Sequence, residues 1–565
     1  MNEFSYERRK NSIVKFSQEV FDLAIVGGGI TGAGVARDAA SRGMRVALVE
    51  ANDFASGTSS RSSKLIHGGI RYLENLEIGL VFEALRERKI LTEIAPHLVH
   101  PLRFLLPLYK GGRVSMFKMG LGMWLYDALS LFEVSKMHES LTADETIKSY
   151  PFMEPEGLLG AYLYSDAYMD DDRLVIETLR SAVNLGAECV NYVKAERALF
   201  EPGKSGDSDA QRMQGLVAKD LESGQEIVLR AKHFVSTVGP WTDRFAAQLF
   251  PNWSQIMRPS KGIHLTLSRK RFPLESAVVM AADQQKRIVF AIPRQEMVIV
   301  GTTDTDFHGN LDSVCTKRSD VEYLLRVIGE YFPGMKITEK DVISSYAGVR
   351  PLVHDGSESE GKTSREHIIM QRNEGLTLVA GGKYTTYRHM AQQTVEATLA
   401  FFSLEDQMRF ARGHTLEPLN PFISADSYCS SCAAIKEHAK AWSIDQGLAR
   451  AFILRHGLEA EKLVGIYHQL PKRGDLKKVM WQTEALFAMK NSMSIHLDDF
   501  ILRRTPLFLS EPDNGLNMVE PLLEVFAEYY SWDNARQEEE RMRFQKHGEL
   551  ELEWRQNSSQ FSTGL

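Results

Sequence analysis

His67, Arg71 and Tyr72 lie around a Gly68-Gly69 pair in the stretch SKLIHGGIRYLE. An imidazole, a guanidinium and a phenol can all hydrogen-bond a polar guest, and glycine lets a backbone approach a ligand closely. The combination predicts a chain passing close to a bound molecule, with the three side chains facing a small anionic group. Upstream, Gly27, Gly29 and Gly32 stand in G-x-G-x-x-G spacing, and Glu50 closes the apolar run that follows. That pattern is suited to a dinucleotide. The glycines admit a pyrophosphate against a helix N-terminus, Thr31 lies within the turn, and the acid accepts from ribose hydroxyls.

The elements that must position these groups are legible in FDLAIVGGGITGAGVARDAASRGMRVALVE. Leu23 to Val26 read as a strand buried on both faces, the alanine-rich segment as a helix packed closely on a sheet, and RVALVE as the next strand. The following run, SGTSSRSSKL, contains Thr58, Ser59, Ser63, Lys64 and Leu65. Its many neutral donors suit an embedded cofactor with phosphates and ribityl hydroxyls better than a nicotinamide that enters and leaves, which leans the reading to FAD. Farther on, AECVNYVKAERAL reads as one strand near residues 187–200, followed by a polar loop, EPGKSGDSDAQ. HFVSTVGPWTD reads as an apolar strand ending at Gly239-Pro240, with Trp241 opening a helix. SKGIHLTL and RIVFAIPRQEMVIVGTTDTD alternate as strands of a mixed or antiparallel sheet do.

Taken together, GGGITGAGVARDAASRGMRVALVE, DFASGTSSRSSKLIHGGIRYLE, STVGPWTD, KGIHL, GTTDTD, YAGVRPL and GGKYTTYR resemble the FAD-dependent glycerol-3-phosphate dehydrogenases, a family with aerobic quinone-linked enzymes and an oxidase branch. LDDFILRRTPLFL resembles that family's helical C-terminal domain. The resemblance implies a Rossmann-like α/β FAD-binding domain interleaved in sequence with a mixed-sheet substrate domain over residues 20–400, and a helical domain over 404–550. It implies that Val193 holds the adenine through its backbone, that Gly239 and Trp241 return to the pyrophosphate, and that Gly348, Gly382, Lys383 and Thr385 complete the cofactor site. It also places His264 on an active-site strand. An aromatic residue is expected after AIP, where this chain has Arg294.

Three further cations stand in these motifs: Arg350 in YAGVRPL, read as part of a rigid turn, Arg365 in TSREHII, and Lys383 in GGKYTTYR. With Arg71 they suggest a clamp for a phosphate, for which Arg offers forked planar donors. Dehydrogenating a secondary alcohol requires a base for the hydroxyl proton and an acceptor for hydride. Flavin supplies the acceptor. His67 and His264 are the candidate bases, because imidazole titrates near working pH, and Arg350 is placed to stabilise a developing alkoxide.

The chain has 565 residues, 43% hydrophobic and 25% charged, which predicts more than one globular domain. A net charge of -7 argues against a general nucleic-acid binder. Four cysteines in this length argue for a reducing compartment and no disulfide framework. The Cys429-x-x-Cys432 pair lacks a second pair or a His partner at metal-site spacing, so no metal is expected. No signal peptide and no run of roughly 18 uncharged apolar residues is present. From about Leu404 onward the pattern is helical, and DLKKVMWQTEALFAMKNSM and MVEPLLEVFAEYYSWDNARQEEERMRFQKHGELELEW read as amphipathic helices, with a frayed tail after them.

FLLPLYKGGRVSMFKMGLGMWLYDALSLFE mixes Lys110, Arg113 and Lys118 with Phe117, Met119, Leu121, Met123, Trp124, Leu125 and Tyr126. It reads either as a buried helix of the substrate domain or as a segment lying in a membrane interface. Resemblance to the quinone-linked branch favours the second, and implies a cytoplasmic protein peripheral on the cytoplasmic face of the inner membrane. The leading expectation is FAD-dependent oxidation of sn-glycerol 3-phosphate to dihydroxyacetone phosphate with a quinone acceptor. The competing readings are an oxidase that makes peroxide, a flavin amine or amino-acid oxidase, and a flavoprotein subunit without catalysis. The oligomeric state stays open between monomer and homodimer.

Overall fold

The structure is a computed structural model that describes residues 3–70, 73, 77–112, 114–131, 136–201, 212–250, 252–283, 287–354, 366–471 and 475–555. Three sequence-predicted site residues, Arg71, Tyr72 and Arg365, lie outside these, as do Arg113, nearly all of the polar loop after Glu201, and the last ten residues.

Two sheets carry the architecture. Val20–Val26 pairs in parallel with Val46–Val49 on one side and with Glu226–Ser236 on the other. Glu188–Val190 and Leu376–Gly381 extend the parallel set outward, and His367–Arg372 adds an antiparallel edge. With the meander Val193–Glu201, Arg212–Asp220, the sheet has 8 strands among the described residues. The central strands are apolar on both faces because helices Ile30–Ser41 and Asp171–Asn184 cover one face and the meander and helix Thr242–Leu249 cover the other.

The second sheet has 10 strands among the described residues and is largely antiparallel. Val99–Tyr109 pairs along its length with Leu158–Met169. Ser260–Ser268 lies between Met297–Gly301 and Val342–Arg350, antiparallel to both. The chain alternates between the sheets: residues 20–49 build the first, 65–66 and 99–169 the second, 188–236 the first, 260–350 the second, and 367–381 the first again. After residue 404 the described elements are helices, with one cluster around Trp481, Phe500 and Phe526 and another around Leu448, Phe452 and Leu463.

Several expectations are refined. The strand read over residues 187–200 is two, Glu188–Val190 and Val193–Glu201, broken where Tyr192 takes a left-handed φ of 55°. The long C-terminal pattern is two helices, Val519–Tyr530 and Asn534–Glu551. Ser531 at φ 57° ends the first, and the Asp533 side chain caps the second by accepting from the Arg536 N–H. Cys429 and Cys432 fall within helix Ala425–Ala433, the first exposed and the second half-buried. No described helix is long and apolar enough to cross a membrane.

Candidate active site and cofactor crevice

The C-terminal ends of the parallel strands open into the seam between the sheets. Gly27 follows Val26, Glu50 follows Val49, Thr237 follows Ser236, and Gly382 follows Gly381. A cavity of about 580 Å³ lies there, where an open α/β sheet places its ligands. Gly27, Gly29, Thr31, Glu50, Thr58, Ser59, Ser63, Val193, Gly239, Trp241, Gly382, Lys383 and Thr385 line it from the first sheet and the loops, and Leu65 from the second sheet. His67, His264, Gly348 and Arg350 line it from the second.

At the glycine turn, Gly27 has φ 109°, and a Cβ on Gly32 would sit 1.9 Å from the Gly27 carbonyl oxygen. Gly32 does not line the cavity; it lets helix Ile30–Ser41 approach the turn. Gly29 is the helix N-cap without a side-chain cap, and the Ile30 N–H donates to Ser59 Oγ at 2.9 Å. Glu50 accepts from the N–H groups of Gly28 at 2.7 Å and Asn52 at 2.8 Å. Burial nevertheless raises its carboxyl to about 7.

On the opposite wall His264 occupies the middle of Ser260–Ser268, across from Gly301 on one neighbour and Tyr346 on the other. Its ring stacks on Tyr346 with centroids 4.7 Å apart, and Nε2 lies 2.9 Å from Ser63 Oγ. Nδ1 is buried and has no hydrogen-bond partner among the described residues. Burial, reinforced by the positive charges of Arg350 and Lys64, holds the imidazole well below its usual pKa, so the ring is neutral. Arg350 ends strand Val342–Arg350 and does not sit in a turn; Pro351 keeps the residue before it extended. Its guanidinium donates to Asp304 Oδ1 at 3.0 Å, to Thr302 Oγ1 at 2.8 Å and to the Thr303 carbonyl at 3.0 Å.

Three more positions differ from the sequence reading. Lys64 is fully buried with its ammonium paired to Asp171, and it does not line the cavity. Gly68 is required by protein packing and does not line the cavity. A Cβ there would lie 2.5 Å from both Leu85 Cδ2 and the Tyr126 hydroxyl, and its N–H donates to that hydroxyl at 3.0 Å. Arg294 turns away from the cavity into a buried pair with Asp170. Phe290, on the same strand, has its ring centroid 6.4 Å from that of His67 but does not line the cavity.

The FAD dependent oxidoreductase family model matches residues 22–388, and the model for the C-terminal domain of alpha-glycerophosphate oxidase matches residues 420–537. The aerobic glycerol-3-phosphate dehydrogenase of Staphylococcus saprophyticus is 34% identical over 92% of each chain. The chain belongs to the FAD-dependent glycerol-3-phosphate dehydrogenase and oxidase family. A Staphylococcus aureus member named aerobic glycerol-3-phosphate dehydrogenase is 33% identical over 94% of each chain. The glycerol-3-phosphate dehydrogenase of Bacillus halodurans, solved as its FAD complex, superposes with a TM-score of 0.77 at 28% identity, covering 98% of this chain and 99% of that one.

The crevice fits the family's cofactor. A diphosphate would find the glycine turn and a helix N-terminus whose cap position carries no side chain, and a ribose would find the Glu50 carboxyl. Sequence reasoning passed over several lining or supporting groups. Thr302 and Asp304, which hold Arg350, lie in the family-like stretch GTTDTD. Arg61 lines the cavity from within SGTSSRSS, and Arg244 and Asp312 form an ion pair at its rim. A run of charged residues in a motif is the signal that marks the first; nothing local marks the other two.

Proposed function

We propose that this chain oxidises sn-glycerol 3-phosphate at C2 to dihydroxyacetone phosphate and passes the electrons to a quinone at a membrane surface. Bound FAD supplies the two-electron acceptor that takes hydride from the substrate carbon. The chain's own residues do the rest. His264, neutral and held by Tyr346 and Ser63, takes the hydroxyl proton; His67 is the alternative base on the same wall. Arg350, oriented by Asp304 and Thr302, stabilises charge growing on the substrate oxygen. Lys383 draws the phosphate, with Arg71, Tyr72 and Arg365 retained in the same role on the sequence reading. The observation that carries the assignment is the convergence of a neutral buried imidazole and a carboxylate-anchored guanidinium on the wall facing the dinucleotide turn.

The quinone acceptor is supported by the helix Met116–Leu129. It buries Met123, Tyr126 and Asp127 and turns Phe117, Leu121 and Trp124 outward at 77%, 58% and 56% exposure. The adjacent helix Ile78–Ile94 adds exposed Ile78 and Phe82, and Lys110 and Lys118 are exposed nearby. An apolar outward face with basic residues suits an anionic lipid interface on the cytoplasmic side. Anaerobic mixing of the yellow protein with glycerol 3-phosphate tests the reading. Bleaching of the flavin, reversed by a quinone and only slowly by oxygen, is the expected result. Rapid reoxidation by oxygen with peroxide release assigns the oxidase branch, and bleaching by an amino acid but not by glycerol 3-phosphate overturns the substrate.

A further inference from the structure

The motif LDDFILRRTPLFL has no side chain in the cavity, yet its two arginines reach the loop that walls it. Residues 51–63 contribute Ala51, Asn52, Ala55, Thr58, Ser59 and Arg61, among others, to the cavity lining. Ala55 in that loop holds a left-handed φ of 63°, a conformation that L side chains resist and that the surroundings must impose.

Asp53 is the loop's buried anchor. Arg504 grips it with both ends of its guanidinium, Nη1 to Oδ2 at 2.7 Å and Nη2 to Oδ1 at 2.8 Å, while Arg503 Nε donates to Oδ2 at 2.5 Å. Asn191 Nδ2 donates to Oδ1 at 3.2 Å, and the Ser56 N–H donates to the Asp53 carbonyl at 3.2 Å. Eight residues along, Arg61 pairs with Glu551 near the end of helix Asn534–Glu551. Glu551 is buried, and its carbonyl accepts from Ser345 Oγ at 2.6 Å, on strand Val342–Arg350, which ends in Arg350. The C-terminal helices thus hold the cavity loop at two places, by the Asp53 pairs, which are shut away from water, and by the Arg61–Glu551 pair, in which Glu551 is buried and Arg61 is 18% exposed at the cavity wall.

We propose that Arg503, Arg504 and Glu551 are positioning residues for the cofactor: the helical domain holds loop 51–63 in the shape that receives FAD, so that FAD binding and docking of this domain are thermodynamically coupled. The inference rests on this cavity being the FAD site. A buried ion pair is directional, and losing one partner strands an uncompensated charge, so the pairs specify one loop conformation in a way apolar contact does not. Coupling is reciprocal: if docking favours FAD, FAD favours docking by the same factor.

The test measures release of FAD from the full-length holoenzyme on dilution, read as the rise of free flavin fluorescence. Arg504→Gln and Glu551→Gln are each expected to weaken FAD binding by roughly 5–150-fold. Glu459→Gln is the comparison. It breaks a buried pair with Arg180, from helix Asp171–Asn184, that touches no residue of the loop, and is expected to lower the melting temperature while leaving FAD affinity within about twofold. If Arg504→Gln and Glu551→Gln behave like Glu459→Gln, the arginines and Glu551 are structural only and the proposal is overturned. Should the variants fail to fold, hydrogen exchange on the wild-type chain decides: FAD is expected to slow amide exchange across residues 497–504, and unchanged exchange overturns the coupling. A wild-type chain that binds no FAD at all refutes the cavity assignment instead.

Discussion

His264 illustrates how a residue acquires a role from its neighbours. A lone histidine in a strand is more often structural than reactive, yet here it lines the cavity with its charged form suppressed by burial and by Arg350 and Lys64. The sign of the shift has a kinetic consequence. A base must be neutral to act, and a depressed pKa keeps it neutral in more acidic solution, so the acid limb of kcat/KM for glycerol 3-phosphate should lie below pH 6.5. His264→Asn should lower kcat by roughly 100- to 10,000-fold while FAD stays bound, since the cofactor is held by other residues. A pH–rate profile and single-turnover flavin bleaching check both; an acid limb above 6.5, or a variant of undiminished rate, would transfer the base's role to His67.

At the scale of elements, the helix Met116–Leu129 buries Met123 and Tyr126 but turns Phe117, Leu121, Trp124 and Leu125 outward. Each such side chain entering an acyl boundary contributes about 1.5–3 kcal/mol. Replacing two of them, Phe117→Ser with Leu121→Ser, should weaken binding to anionic vesicles by on the order of 100- to 10,000-fold. Because neither residue lines the cavity, bleaching by glycerol 3-phosphate in solution should be unchanged, while reduction of a quinone dissolved in vesicles should fall. Flotation of both proteins on vesicles measures the first effect. Equal flotation would return this helix to the role of an ordinary surface element.

At the scale of the molecule, the helical domain is fastened to the first sheet by charge. His496 lies with Nδ1 2.7 Å from Glu540 and Nε2 3.0 Å from Glu222, in the turn after strand Arg212–Asp220. Burial lowers its pKa, but both nitrogens face carboxylates, with the Arg536 guanidinium also 3.0 Å from Nδ1, and the hydrogen bonds to Glu222 and Glu540 outweigh burial to raise the pKa to about 9. Arg536 reinforces Glu540 at 2.9 Å, and Arg543 opposes the shift weakly. A histidine raised above its unfolded value near 6.5 contributes stability that is fully present below pH 6.5 and is lost as pH rises through 9. That contribution amounts to about 3 kcal/mol. Denaturant unfolding at pH 6.5 and pH 9.5 should therefore show a larger loss for the wild-type chain than for His496→Gln. Parallel losses would mean that the latch is not ionised.

What the amino-acid sequence determined by itself is local. The glycine spacing around Gly27, the acid at Glu50 and the apolar runs on either side are set by short-range geometry and solvent exclusion, so the dinucleotide unit, its strands and its helix are readable without coordinates. The alternating strands and the helical C-terminal pattern are readable for the same reason. Only the tertiary structure decided which charges meet. Lys64 sits among cofactor-site residues in the sequence, but Asp171, far along the chain, draws it inward. Gly68 looks like a ligand-facing glycine until Tyr126 and Leu85 close on it. Asp53 and Arg504 are separated by most of the chain, and no periodicity joins them. Pairing of buried charge depends on where water is excluded, and water is excluded only once the sheets and helices have come together.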